Sequence, residues 1–226
     1  MRKVIVLLFF ISSIVIKAQT KFGVLVNGKM NINTKIEVAK SLNVSYIRDA
    51  IIMQNWDGHD QSCDRYIAAS FKIILNVNWG QVQKENGIRS PVPYPADTME
   101  YKKIMNEILS KYSPELVVIE NEETIKNYHT GPIENYINEL SAAITVAHSK
   151  GLKITNGGLT NRELALFVYN DYLQKGMKNE ANDFANRCVK PALLRAGNPD
   201  IEKLVSDSKK LIEAYKRLPL DYINIH

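Results

Sequence analysis

The apolar run Val117-Val118-Ile119 leads straight into Glu120-Asn121-Glu122-Glu123, and this is where chemistry is sought first. A buried strand that ends in Asn-Glu delivers an amide and a carboxyl together at the rim of a sheet. Apolar surroundings raise the pKa of a carboxyl, which is what a proton donor at neutral pH requires. Such a donor can protonate the departing oxygen of a glycosidic bond while the amide hydrogen-bonds a neighbouring sugar hydroxyl. Glu122 is therefore the candidate acid and Asn121 its companion. Other constellations are weaker. His59, His129, His148 and His226 lack the HExxH spacing of a zinc site. His59 lies among Asp57, Asp60 and Asp64, a grouping that reads as a solvated loop rather than a metal site. No metal or cofactor is expected, and no GxSxG marks a serine nucleophile.

The elements that must position these residues follow from periodicity. Strands are predicted at Phe22–Asn27, Ser45–Ala50, Phe71–Trp79, Leu116–Asn121, Leu152–Asn156 and Asp221–His226. Runs such as Ile73-Ile74-Leu75 are nearly continuous in apolar residues, as in parallel strands covered on both faces. Helices alternate with them: one capped by Asn33 or Thr34, and one opened by the box-like pair Asp97 and Glu100. A third has Pro132 in its first turn and Gly151 at its end, and three more are expected between Arg162 and Arg217. Alternating strands and helices mean an α/β fold.

The choice within that class rests on where polar residues fall. Asn27, Arg48, Asp49, Asn76, Asn78, Trp79, Asn121, Glu122, Asn156, Asn224 and His226 all sit at or near the C-terminal ends of predicted strands. A (β/α)₈ TIM-type barrel gathers its site there, whereas a doubly wound sheet has one switch point and often a GxGxxG after its first strand. Asn27-Gly28-Lys29-Met30 lacks that motif. A barrel with about six βα units present is the expectation, and Gly157-Gly158 is expected to permit a tight turn or close backbone approach.

Residues 1–18 read as a signal peptide: Arg2 and Lys3, an apolar run from Val4 to Ile16, then Ala18. That run is shorter than the roughly 20 residues of a spanning helix, so a secreted or periplasmic product without a membrane span is expected. The formal charge of +5 falls to about +2 once Arg2, Lys3 and Lys17 are set aside, and no basic-aromatic surface suggests a nucleic-acid partner. Cys63 and Cys188 allow at most one disulfide; two buried thiols are the blander alternative.

From about Phe22 to His226 the chain resembles the clan A glycoside hydrolases, retaining enzymes on a (β/α)₈ barrel. The likeness rests on Asn121-Glu122, on Tyr46-Ile47-Arg48, on Asp221-Tyr222-Ile223-Asn224-Ile225-His226, and on the stretch from Glu134-Asn135-Tyr136 to Ile154. The motifs are short; their order and spacing carry the resemblance. It implies that Glu122 is the general acid/base and that Asn121 bonds the sugar 2-hydroxyl. It further implies that Arg48 keeps the nucleophile ionised, that His226 lines the same subsite, and that Trp79 offers a sugar a ring face. Arg48 could instead pair with Asp49 or Glu120, and Trp79 could simply cover the core. Where the family often has proline after Asn-Glu, this chain has Glu123-Thr124. The implied nucleophile ends a seventh strand, which the sequence to His226 does not reach; Asp49 and Asp57 are the understudies. The implied activity is hydrolysis of an extracellular poly- or oligosaccharide, and the alternative is a non-catalytic carbohydrate-binding barrel.

Overall fold

The computed structural model describes residues 23–25, 30–85, 88–189 and 199–226. In chain order the elements begin with β1 (Gly23–Leu25), α1 (Ile32–Ser41), β2 (Tyr46–Ile52), α2 (Gln61–Ala68) and β3 (Lys72–Asn78). Three short strands follow, β4 (Gln83–Glu85), β5 (Ile88–Ser90) and β6 (Val92–Pro93), and then α3 (Thr98–Tyr112) and β7 (Leu116–Ile119). The remainder is β8 (His129–Thr130), α4 (Ile133–Ser149), β9 (Ile154–Thr155), α5 (Asn161–Gln174), α6 (Lys178–Cys188) and α7 (Pro199–Tyr215). The fold is thus mixed α/β.

The main sheet is parallel and its strands lie in chain order, β1-β2-β3-β7-β9. Successive parallel strands that always step in one direction, joined by right-handed crossovers, must send every crossover to the same face. The side chains record this. Ile47, Ile51, Ile73, Leu75, Val77, Val117, Ile119 and Ile154 are buried in one core with Ile36 of α1, Tyr66 of α2, Met105 and Ile108 of α3, Leu140 of α4 and Leu211 of α7. The register puts Leu25 beside Arg48, and Ala50 beside Asn76, on the other face. There Leu25 is 69% exposed while Asn76 is buried, so polar residues occupy the middle of a face that carries no helix-packed core.

Last in the sheet comes the segment after α7. It runs parallel to β9 through two bridges, Thr155 with Tyr222 and Leu159 with Ile225, rather than as a continuous strand over Asp221–His226. The Asp221 amide, which donates to the Ile154 carbonyl at 3.1 Å, and several side chains supply the rest of its attachment. Asp221 Oδ2 accepts from the Ile154 amide at 2.9 Å and faces His148 Nε2 at 3.1 Å, and Asn224 donates its backbone N–H to Asn156 Oδ1 at 2.7 Å.

Several predicted boundaries move. β2 continues two residues past Ala50, which places Arg48 in mid-strand instead of at a strand end. α1 is capped by Asn31, whose side chain accepts from the Asn33 amide at 2.8 Å; Asn33 is free to accept from Arg65 instead. Asp97 caps α3 as expected, accepting from the amides of Met99 and Glu100. Pro132 and Gly151 bracket α4, with Gly151 at φ 69°, and α5, α6 and α7 fill the stretch after β9. Those three share a small core of Leu166, Ala185, Val189 and Leu204. Both cysteines are free, Cys63 buried but Cys188 exposed, which corrects the expectation of two buried thiols. Residues 1–18 and Asn27 lie outside the described residues; among the described residues no helix is long and apolar enough to cross a membrane.

Leu140 is fully buried between α4 and the sheet, and Met99 is 80% exposed at the start of α3. Leu140→Ala is expected to lower unfolding free energy by about 2–5 kcal/mol, whereas Met99→Ala should change it by less than about 0.5 kcal/mol. Urea unfolding of both variants checks the assignment; similar losses would mean that α4 does not form the inner layer.

Candidate active site

β7 ends at Ile119, and the next residues leave the sheet through an unusual path. Glu120 and Glu122 have φ of 62° and 50°, both in the left-handed region that side-chain-bearing residues rarely occupy. This path faces Glu120 and Glu122 differently. Glu120 is buried, and its Oε1 accepts the Trp79 amide at 2.6 Å from the end of β3. The Glu122 side chain is 27% exposed, and its Oε1 meets His226 Nδ1 at 3.3 Å. Two residues that lie 104 apart in sequence, both expected at the site, are therefore brought together.

His226 is itself held. Its Nε2 contacts the Asn224 side-chain nitrogen at 3.2 Å, and Asn224 donates to the Gly157 carbonyl at 3.0 Å. The two glycines serve as expected. A β-carbon on Gly158, at φ +129°, would sit 2.7 Å from the His226 ring, and one on Gly157 would sit 2.7 Å from the Ile119 carbonyl. Close approach of β9 to β7, and of the imidazole to the loop after β9, depends on both positions being bare.

Beneath the rim lies a layer of carboxyls. Glu123 is buried; its Oε1 accepts from Asn156 at 3.1 Å and from the Tyr215 hydroxyl. Burial pushes the Glu123 carboxyl above the usual range, and those donors oppose the shift. Burial likewise pushes Glu120 up to about 7. Its neighbour Glu139 in α4 is also held well above the carboxylate range, by burial and then by the charge of Glu120. Glu163 closes the N-terminus of α5 in a capping box with Thr160, and burial raises it to about 7.

Arg48 and Trp79 take other places. Arg48 donates to Asn76 Oδ1 at 2.8 Å, and Asn76 donates to Asn78 Oδ1 at 2.7 Å. This chain runs from mid-β2 to the wall of a cleft of about 280 Å³ that Asn78, Glu120, Asn121 and His129 also line. Among the described residues the guanidinium pairs with neither Asp49 nor Glu120. Trp79 is half-buried and packs against the core, its ring 6.2 Å from that of Tyr101. Asp49 points to the helix side, accepting from the Tyr66 hydroxyl at 2.9 Å, and Asp57 pairs with His59 at 3.0 Å. Neither understudy is paired with Glu122 or His226 among the described residues. No grouping able to hold a metal ion occurs among the described residues.

Sequence reasoning did not single out Glu163, Tyr94, Tyr215 or His129. Glu163 had a signal, the spacing Thr160-x-x-Glu163 of a capping box. The others are distant aromatic partners whose roles only the tertiary fold defines. No protein-family profile and no curated protein sequence matches this chain.

Glu163 generates a pH dependence. Its ordinary value of 4.5 holds in the unfolded chain and rises to about 7 in the fold, so the folded state binds the extra proton between them. Stability from this group is full below pH 4.5 and is lost as pH rises through about 7. Glu163→Gln keeps the capping box and removes the titration. Unfolding free energy should fall less between about pH 5 and about pH 8 in this variant than in the parent; equal falls would show that Glu163 is not desolvated.

Proposed function

We propose that this chain carries the substrate-binding residues and the acid of a carbohydrate hydrolase, acting on O-glycosidic bonds outside the cytoplasm by a retaining mechanism. The observation that carries the reading is the Glu122–His226 contact at the C-terminal rim of a parallel sheet, with Asn121 adjacent. Glu122 would protonate the departing oxygen and then activate water, and Asn121 would bond the 2-hydroxyl. His226 would orient the acid, and the Arg48–Asn76–Asn78 chain would line the sugar cleft. Strand order without a reversal and helices gathered against one face support a (β/α)₈ barrel over a doubly wound sheet.

A retaining reaction needs a second carboxyl about 5 Å from the first, across the scissile bond. Glu120 and Glu123 are buried and engaged inside the fold, so neither supplies it. The family pattern assigns that nucleophile to a glutamate ending a seventh strand. A non-catalytic glycan-binding barrel is the second reading, favoured by the same engagement of the neighbouring carboxyls. The basic start and apolar run of residues 2–16 support export.

Glu122→Gln is expected to cut hydrolysis of glycosides with poor leaving groups by about 10²–10⁴-fold while glycan binding, followed by calorimetry, persists. Hydrolysis at the parental rate would sink the assignment. Glycan binding without hydrolysis in the parent would establish the second reading.

A further inference from the structure

The small parallel pair β6–β8 lies outside the main sheet, and the proposed chemistry leaves it without a task. Val92 pairs with His129 and Pro93 with Thr130. This pairing sets two aromatic rings face to face: Tyr94, just past β6, stacks on His129 of β8 with centroids 5.0 Å apart and planes inclined by 13°. Both side chains are buried, with Tyr94 5% exposed and the His129 side chain 8%.

Their polar atoms reach the same short stretch of backbone. His129 Nε2 lies 3.0 Å from the Asn121 carbonyl oxygen, and the Tyr94 hydroxyl donates to the Glu123 carbonyl. A carbonyl can only accept, so His129 must carry its hydrogen on Nε2. Between these two held carbonyls stands Glu122, whose own carbonyl accepts the Ile125 amide at 2.9 Å. Three consecutive carbonyls are thus fixed around a residue whose φ is 50°. A conformation that costs of order 1–3 kcal/mol persists only where its surroundings over-determine it.

We propose that Tyr94 and His129 form a positioning clamp that grips the backbone on both sides of Glu122 and sets the direction of its carboxyl. The proposal rests on the reading of Glu122 as the acid. The clamp acts through Glu122: the Tyr94 hydroxyl and His129 Nε2 are engaged with backbone carbonyls, although the His129 ring also borders the cleft. Simple core filling would explain two stacked rings, but it would not require donors aimed at the two carbonyls that flank one residue. Burial lowers the imidazole pKa of His129, and Nε2, which also stands 3.8 Å from Glu120 Oε2, can donate to the Asn121 carbonyl with or without a charge on the ring.

The test uses the full chain and variants that keep the rings while removing the donors, His129→Phe and Tyr94→Phe, with His129→Gln restoring a donor. In the parent, nitrogen-15 spectra are expected to show His129 neutral and protonated at Nε2; protonation at Nδ1 alone would overturn the clamp whatever the variants do. In both ring-keeping variants the amide and carboxyl resonances of Glu122 should shift while circular dichroism stays parental, and His129→Gln should move them back. Unchanged Glu122 resonances would overturn the proposal. Hydrolysis adds a readout that mere packing would not move. Glycosides with poor leaving groups should lose about tenfold or more in kcat/KM, whereas those that release an acidic phenol, and need no proton, should hold their rate. Equal losses on both would count against the clamp. A parent that hydrolyses neither class would bring down the hydrolase reading, and the spectra would still decide the clamp.

Discussion

A parallel sheet whose strands follow one another in chain order leaves the chain little freedom elsewhere. Each step goes the same way, and α1 to α4 and α7 lie against one face, as the rule of right-handed crossovers requires. The strand ends then share one rim, and loops that begin at Asn78, Glu120 and Asn156 open side by side. Residues far apart in sequence meet there without any long-range signal of their own. The Glu122–His226 contact is a product of that winding, because the segment after α7 is laid beside β9, which is itself beside β7.

Burial of acid groups is the second organising fact. Glu120, Glu123, Glu139 and Glu163 lie beneath the rim, each raised in pKa chiefly by desolvation. Tyrosines and backbone amides answer part of their need for donors: the Trp79 amide for Glu120, the Tyr215 hydroxyl for Glu123, the Thr160 amide for Glu163. Because desolvation favours the neutral form of each group, such a layer adds less negative charge beneath the rim than four solvated carboxylates would.

Much of the layout was legible in the sequence because it depends on local pattern. The apolar runs of β2, β3 and β7, the Asp97 cap and the Pro132 and Gly151 bracket are short-range signals, and they appear where expected. Strand ends were less legible: nothing near Ala50 tells the chain to stop, and β3 beside it offers hydrogen-bond partners as far as Asn78. The final segment looked like a strand by composition, yet it is tied by two bridges and by side chains, which a pattern of apolar residues does not encode. In the site, Glu122, Asn121 and His226 stood out by type and position. The clamp of Tyr94 and His129 did not, because a tyrosine and a histidine 35 residues apart carry no spacing that announces a stack.

The thin attachment of residues 221–226 has a consequence for time scales. Two bridges in place of a continuous ladder leave this segment fewer backbone pairings than β2 and β3 have with each other, so local opening is expected there at a lower free energy than in the sheet core. An opening of that kind would remove the imidazole from Glu122 while leaving β7 and the turn beyond it in place. The carboxyl would then meet two surroundings in alternation, one imidazole-bonded and one solvated, at a rhythm set by the segment and not by the fold as a whole.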